Sequence, residues 1–353
     1  MALAVLALLA ALWAGLVRMG WQLPHLRPTL PMAHGPLMVC GFFGTLVGLE
    51  RAVGLSGLDG RRRWLYAGPA ATGLGALLLM LNVGGALAVA LIVLGSAVLV
   101  LAMVVILRIH VALHSVVMLL GALAFLGGNL LWLFGRTIPE VTIWWAGFLV
   151  LTIVGERLEL SRVLQLTRAK QAAFAVAVAV FLAGILLSGV VFQTGVRVAG
   201  AGMLLLAGWL LLFDVARRTV RKSGLTRYIA VALLIGYVWL AFAGLQWLHH
   251  GGLTAGLHYD AALHTLFVGF VFSMIFAHAP IILPALIGML LPYSSAFYVP
   301  LALLNVSLWL RIAGDATVQL ALRRWGGLLN ELAILLFLAL MVMAIRRGRR
   351  QAG

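Results

Sequence analysis

The chain is poor in charge and especially poor in acid. Only 10% of its 353 residues are charged, and Asp plus Glu number 9 against 25 Lys plus Arg. With 64% hydrophobic residues and a mean hydropathy of +1.14 there is too little polar surface to cover a soluble globule of this length, which excludes a water-soluble domain. Cysteine is nearly missing: the single Cys40 excludes an internal disulfide or a thiolate metal cluster and reads as a small core residue. No Walker loop, no Gly-x-Gly-x-x-Gly before a helix, no Cys-x-x-Cys-His and no Gly-x-Ser-x-Gly occurs. Those absences remove ATP-driven transport within this chain, nicotinamide binding, c-type haem attachment and serine hydrolysis.

Long apolar runs are abundant instead. Roughly 18 to 25 residues each, they match a hydrocarbon core of about 30 Å crossed at 1.5 Å per residue. Backbone groups in lipid must be satisfied within their own segment, so the runs are expected to be helices. Breaks at Gly, Pro and charge clusters place twelve of them. The first six are Ala2 to Val17, Met32 to Leu49, Trp64 to Leu81, Gly84 to Leu107, His110 to Phe134 and Val141 to Leu158. Phe174 to Phe192, Val196 to Val215, Leu225 to Leu248, Asp260 to Ile282, Ser295 to Ile312 and Trp325 to Ile345 follow. The run from Met1 to Leu16 lacks the basic flank of a cleaved signal peptide and is kept as a helix. The expectation is one polytopic transmembrane domain over residues 1–353.

With twelve spans the loops alternate sides. Arg18, Arg27, Arg136, Arg197, Arg311, Arg323 and Arg324 fall on one side, and the other 18 of the 25 basic residues share the opposite side. The richer side is the cytoplasmic one, which puts both termini in the cytoplasm. The formal net charge of +16 is therefore a record of orientation, and nucleic acid is not an expected partner. No repeat stands out beyond two Glu-Arg steps, Glu50-Arg51 and Glu156-Arg157, which read as ion pairs anchoring helix ends or as carboxylates serving a nearby site. Trp21, Trp132, Trp144, Trp145, Trp239 and Trp247 sit near helix ends and suit an aromatic belt.

Histidine is the residue type to follow, because most of the nine lie at membrane depth, where ionisable groups are costly. His34, in Met32-Ala33-His34-Gly35-Pro36-Leu37-Met38, opens the second helix, and His264 lies one turn into the tenth. Both enter from the non-cytoplasmic side, so their imidazoles are expected at similar depth. Two neutral imidazoles there could hold a flat macrocycle, with Gly35 leaving it room, or each could bond a carbonyl across a helix contact. His278 follows His264 by fourteen residues, within about 40° of the same face of a regular helix and about 21 Å further along. Pro280 and Pro284 would kink the helix there. At that cytoplasmic level His278 could meet His110 and His114, taken as i and i+4 on one face of the fifth helix, in a copper or zinc site or around a second haem. Asn129, Asn330 and Glu331 could bond a propionate, an imidazole or a neighbouring helix. His25, His249, His250 and His258 fall in non-cytoplasmic loops and read as solvated.

The helix count, together with His34 on helix two and His264 on helix ten, resembles the core subunit of haem-copper oxidases, whose helices two and ten supply the axial histidines of the low-spin haem. His34-Gly35-Pro36-Leu37-Met38-Val39 and the segment from Leu263 to Met274 look more like the NnrS family of twelve-helix bacterial haem and copper proteins linked to nitric oxide resistance. The resemblance implies an all-α, oxidase-like bundle in the bacterial inner membrane and haem b ligated by His34 and His264. It also implies an electron donor and a small diatomic ligand such as nitric oxide, while copper or a second haem at His110, His114 and His278 rests on their spacing. Helices six and seven contain no histidine, so the copper centre of a terminal oxidase has no counterpart. A proton-coupled secondary transporter using membrane-embedded His and Glu is the reading from another class.

Overall fold

The computed structural model describes residues 1–24, 26–58, 60–287 and 292–352, and it contains helices and no strand among them. In chain order the long helices are α1 (Ala2–Arg18), α2 (Leu30–Leu58), α3 (Gly60–Leu81), α4 (Gly85–Ile109), α5 (Leu113–Leu133) and α6 (Ile138–Leu164). They continue as α7 (Arg168–Ser188), α8 (Phe192–Phe213), α9 (Gly224–His250), α10 (Leu257–Pro284), α11 (Ser295–Ala316) and α12 (Leu320–Gly348). Eleven of these, α2 to α12, are long and apolar enough to cross a membrane among the described residues; α1 is apolar but shorter, at 17 residues. Packing divides the chain into two compact units, Met1–Gly155 and Glu156–Gly353.

In the first unit small side chains let three helices approach. Ala7, Ala11 and Ala14 of α1, Leu30 and Leu37 of α2 and Ala76 of α3 form one buried cluster. A Cβ at Gly41 would lie 2.8 Å from the Ala7 methyl and 3.0 Å from that of Ala76. Between α5 and α6, Phe125 stacks on Phe148 with ring centres 4.4 Å apart. Asn129 accepts from the Trp145 indole N–H at 2.9 Å and from the Cys40 thiol at 3.4 Å, so its amide serves interhelical bonding, and Cys40 is the small buried residue expected. Trp145, Trp239 and Trp247 are buried in protein, and Trp239 donates to Asn305 at 2.6 Å.

In the second unit α7 and α8 run antiparallel at backbone contact, with Gly184 against Ala199, Gly195 against Ser188 and Gly202 against Phe181. Without a hydrophobic drive between helices in lipid, such close approach supplies the packing energy. Gly202→Ala would put its methyl 2.5 Å from the Phe181 Cα and is expected to cost about 1–3 kcal/mol in detergent unfolding. Gly208→Ala on the same helix meets nothing within 4 Å and is expected to be neutral or stabilising, which separates packing from helix propensity.

Two spans contain a π-helix among the described residues. α2 begins as a 3-10 turn over Leu30–Ala33, passes through His34–Pro36 and widens into a π-helix over Leu37–Gly44 before continuing as α-helix from Thr45. α10 has an α-helical first part, Leu257–His264, then a π-helix over Thr265–Phe272 and α-helix again from Ser273. Bonds from i to i+5 replace the usual i to i+4 there, so a reckoning of 100° per residue from His264 to His278 does not hold.

Candidate functional site

His34 sits at the entry to α2, next to α1. Its Nδ1 lies 2.8 Å from the carbonyl oxygen of Ala11. A carbonyl can only accept, so Nδ1 carries the proton and Nε2 is the basic nitrogen of the ring. Beside it, a Cβ on Gly35 would meet only a methyl of Ile138, at 3.8 Å, so the backbone there is open to a neighbour. The π-helix follows three residues later.

His264 is placed in the same way in the second unit. Its Nδ1 donates to the Asp260 carbonyl one turn back at 2.8 Å, and the π-helix begins at the next residue. The Asp260 carboxylate stands 3.4 Å from the same ring nitrogen. His278 repeats the pattern, with Nδ1 2.7 Å from the Met274 carbonyl. All three imidazoles are therefore held in one tautomer by backbone carbonyls, the support that metal-ligating histidines ordinarily have.

Asp260 is the hub of a charged network that sequence reasoning missed. Arg311 of α11 grips its carboxylate bidentately, Nε and one Nη each at 2.9 Å, and Arg323 of α12 approaches it at 3.3 Å. Arg323 Nε is also 2.9 Å from Asp315, whose carboxylate is fully buried and receives no hydrogen bond at either oxygen among the described residues. Two acids and two guanidiniums thus balance at the end of the second unit where α10 begins, α11 ends and α12 begins. The available signal was Arg311 and Asp315, an i,i+4 pair at the end of the eleventh apolar run. Asn330 donates to Leu304 O at 3.1 Å and Ser307 Oγ at 2.6 Å, tying α12 to α11.

His110 and His114 come together, with ring centres 5.5 Å apart, but not as one helical face. α4 ends at Ile109, His110 is extended at φ −141°, ψ 95°, and His114 lies in the first turn of α5. His110 is exposed and His114 buried. As the side chains stand, no three His, Cys, Asp or Glu within either unit gather closely enough to hold a metal ion among the described residues.

The two Glu-Arg steps part company. Arg51 stays beside Glu50 at 3.7 Å, whereas Arg157 turns to Asp214 at the end of α8, with bonds of 3.0 and 2.9 Å. Ser161 also bonds Asp214, at 3.3 Å, and Asp214 accepts the Ala216 N–H at 2.7 Å. Arg157 is 3% exposed and Asp214 0%, so this is a buried pair and not an interfacial anchor.

Eleven apolar spans and a shorter apolar helix, with charge buried at helix ends, define a multi-pass all-helical membrane protein. The chain belongs to the family described as "Domain of unknown function (DUF8744)", whose model matches residues 1–346. No curated protein and no solved structure matches it.

Proposed function

We propose that the chain is a bacterial inner-membrane haem protein, both termini in the cytoplasm, serving electron transfer or the response to nitric oxide. His34 and His264 would hold haem b near the outer face, with His110, His114 and His278 around a copper ion or a second haem. The observation that supports this reading is what His34 and His264 share: a carbonyl on Nδ1 at 2.8 Å in each, which makes Nε2 the basic nitrogen, and a π-helix that begins three residues after His34 and at the residue after His264. π-Helical turns are rare and gather at functional sites. His278 has the same carbonyl support. A haem held by the two imidazoles would supply one-electron chemistry. For their part, the backbone carbonyls of Ala11 and Asp260 fix the ring orientation of His34 and His264.

The experiment is purification in detergent from haem-replete cells, with reduced-minus-oxidised spectra of wild type, His34→Ala and His264→Ala. A b-type band in the wild type that both variants lose is the expected result. A colourless wild type, or variants that keep the full band, would overturn it. Metal analysis of His114→Ala and His278→Ala should show loss of copper or of one haem.

A proton-coupled transporter is the second reading, favoured by Asp315, a fully buried carboxylate in the last turn of α11 that stands 2.9 Å from Arg323 Nε. Proton uptake into vesicles by a haem-free preparation would select it.

A further inference from the structure

Three segments of the second unit meet where α9 begins, α11 begins and α12 finishes, and none of them carries an acid. Residues 215–259, 261–314 and 332–353 contain no Asp or Glu. A cavity of about 400 Å³ opens there between the last turns of α12 and the segment that leads into α11, a volume within the ordinary range of small-ligand sites. Leu340, Met343 and Arg347 form one wall. Spaced i, i+3 and i+7, they make a single stripe on α12 that passes from apolar to cationic over roughly 10 Å. Met343 is 46% exposed, so the apolar part of the stripe is open to the surroundings. Tyr293, Ser294 and Phe297 form the opposite wall. Aromatic packing fixes its shape: Phe297 is 1% exposed, with ring centres 5.8 Å from Tyr228 of α9 and 6.0 Å from Phe337 of α12, and the Tyr293 ring lies 6.4 Å from Tyr228. The Ser294 hydroxyl accepts the Ala296 N–H at 3.2 Å and holds the turn. Arg227, in the first turn of α9, lies within electrostatic reach of the Tyr293 hydroxyl.

We infer that this cavity binds an anionic phospholipid, with its phosphodiester on the Arg347 guanidinium and one acyl chain along Leu340 and Met343. A planar guanidinium matches two phosphate oxygens with parallel N–H bonds, and hydroxyls such as those of Tyr293 and Ser294 across the cavity are donors for the rest of a headgroup. The order of the lining along α12, apolar and then cationic, is the order of acyl chain and headgroup at the edge of a bilayer. A soluble anion would use the cationic end alone and leave Leu340 and Met343 without a role, so the lining favours a lipid. Arg227 adds a second positive charge, and no carboxylate in these three segments neutralises either one, which selects an anionic headgroup over a zwitterionic one. Basic pockets between transmembrane helices hold anionic headgroups by the same means. The site is independent of the haem reading, since none of its residues belongs to that set.

The test is lipid binding to delipidated, detergent-solubilised full-length protein by native mass spectrometry, with phosphatidylglycerol and phosphatidylcholine of identical acyl chains as probes. One phosphatidylglycerol per chain is expected, held about fivefold or more tightly than phosphatidylcholine. Arg347→Gln should reduce that preference about fivefold while eluting as the wild type does in size exclusion. Arg346→Gln removes the same charge one residue away, off the stripe, and should leave the preference within about twofold. Equal binding of the two lipids by the wild type, the same loss in Arg346→Gln as in Arg347→Gln, or displacement of phosphatidylglycerol by millimolar inorganic phosphate would overturn the proposal.

Discussion

Asp214→Ala is expected to leave little folded protein. Its carboxylate receives both arms of Arg157 at 2.9 and 3.0 Å, the Ser161 hydroxyl and the Ala216 N–H, and neither member of the ion pair is more than 3% exposed. Removing the acid strands a guanidinium in low dielectric, a loss of about 3–5 kcal/mol where a whole fold is worth roughly 5–15. Arg157→Met combined with Asp214→Leu removes both charges together and should recover most of the loss, because an apolar pair of similar volume avoids desolvation altogether. Thermal unfolding in detergent, followed by intrinsic fluorescence and size exclusion, reads both variants. A single mutant as stable as wild type would show that the pair is solvated.

The second large effect is expected at Asp260→Ala. Arg311 would lose two hydrogen bonds of 2.9 Å, and Arg323 a contact of 3.3 Å, leaving two guanidiniums to share Asp315. Arg311 is only 7% exposed, so the loss is again about 3–5 kcal/mol. The bond from His264 to residue 260 goes to the backbone carbonyl, so alanine preserves it. Whatever fraction folds should therefore keep His264 in the same tautomer, and in the haem reading should keep its absorption band. Glu140→Ala is the control. Its pair with Arg136 is 3.0 Å long but 30% and 53% exposed, and Glu140 also accepts the Thr137 N–H and hydroxyl at 2.9 and 2.8 Å, so its loss should cost about 1 kcal/mol. Unfolding midpoints of the three proteins under one detergent decide the order.

The rough positions of the eleven spans α2 to α12 were legible because each is a long apolar run ended by Gly, Pro or charge, whereas α1, also expected to cross, is only 17 residues long. Ends were less legible. α2 starts at Leu30 and runs to Leu58, beyond the Glu50-Arg51 step that reads as its end, because charged side chains at a span's edge do not stop the backbone ladder. His110 and His114 carry a helical spacing, yet the chain turns extended between them, and their rings meet across a corner instead of along a face. The pairs that organise the second unit join residues 57 and 51 positions apart, Arg157 with Asp214 and Arg311 with Asp260. Nothing local marks such partners, since each charge taken alone reads as a loop cation or a helix start. The histidines were noticed as residues. Their carbonyl-fixed tautomers depend on tertiary placement for His34, and on the helix turn preceding the ring for His264 and His278.

Leu37–Gly44 and Thr265–Phe272 are wound more loosely than the helix on either side of them. Each consequently stores a little surplus length. Elsewhere in a span, losing one amino acid would swing every later side chain by about 100° and slide it 1.5 Å. Within these eight-residue stretches, tightening to the ordinary pitch can absorb such a loss, so these are the two places where the spans can be shortened by a residue with the least disturbance to what lies beyond.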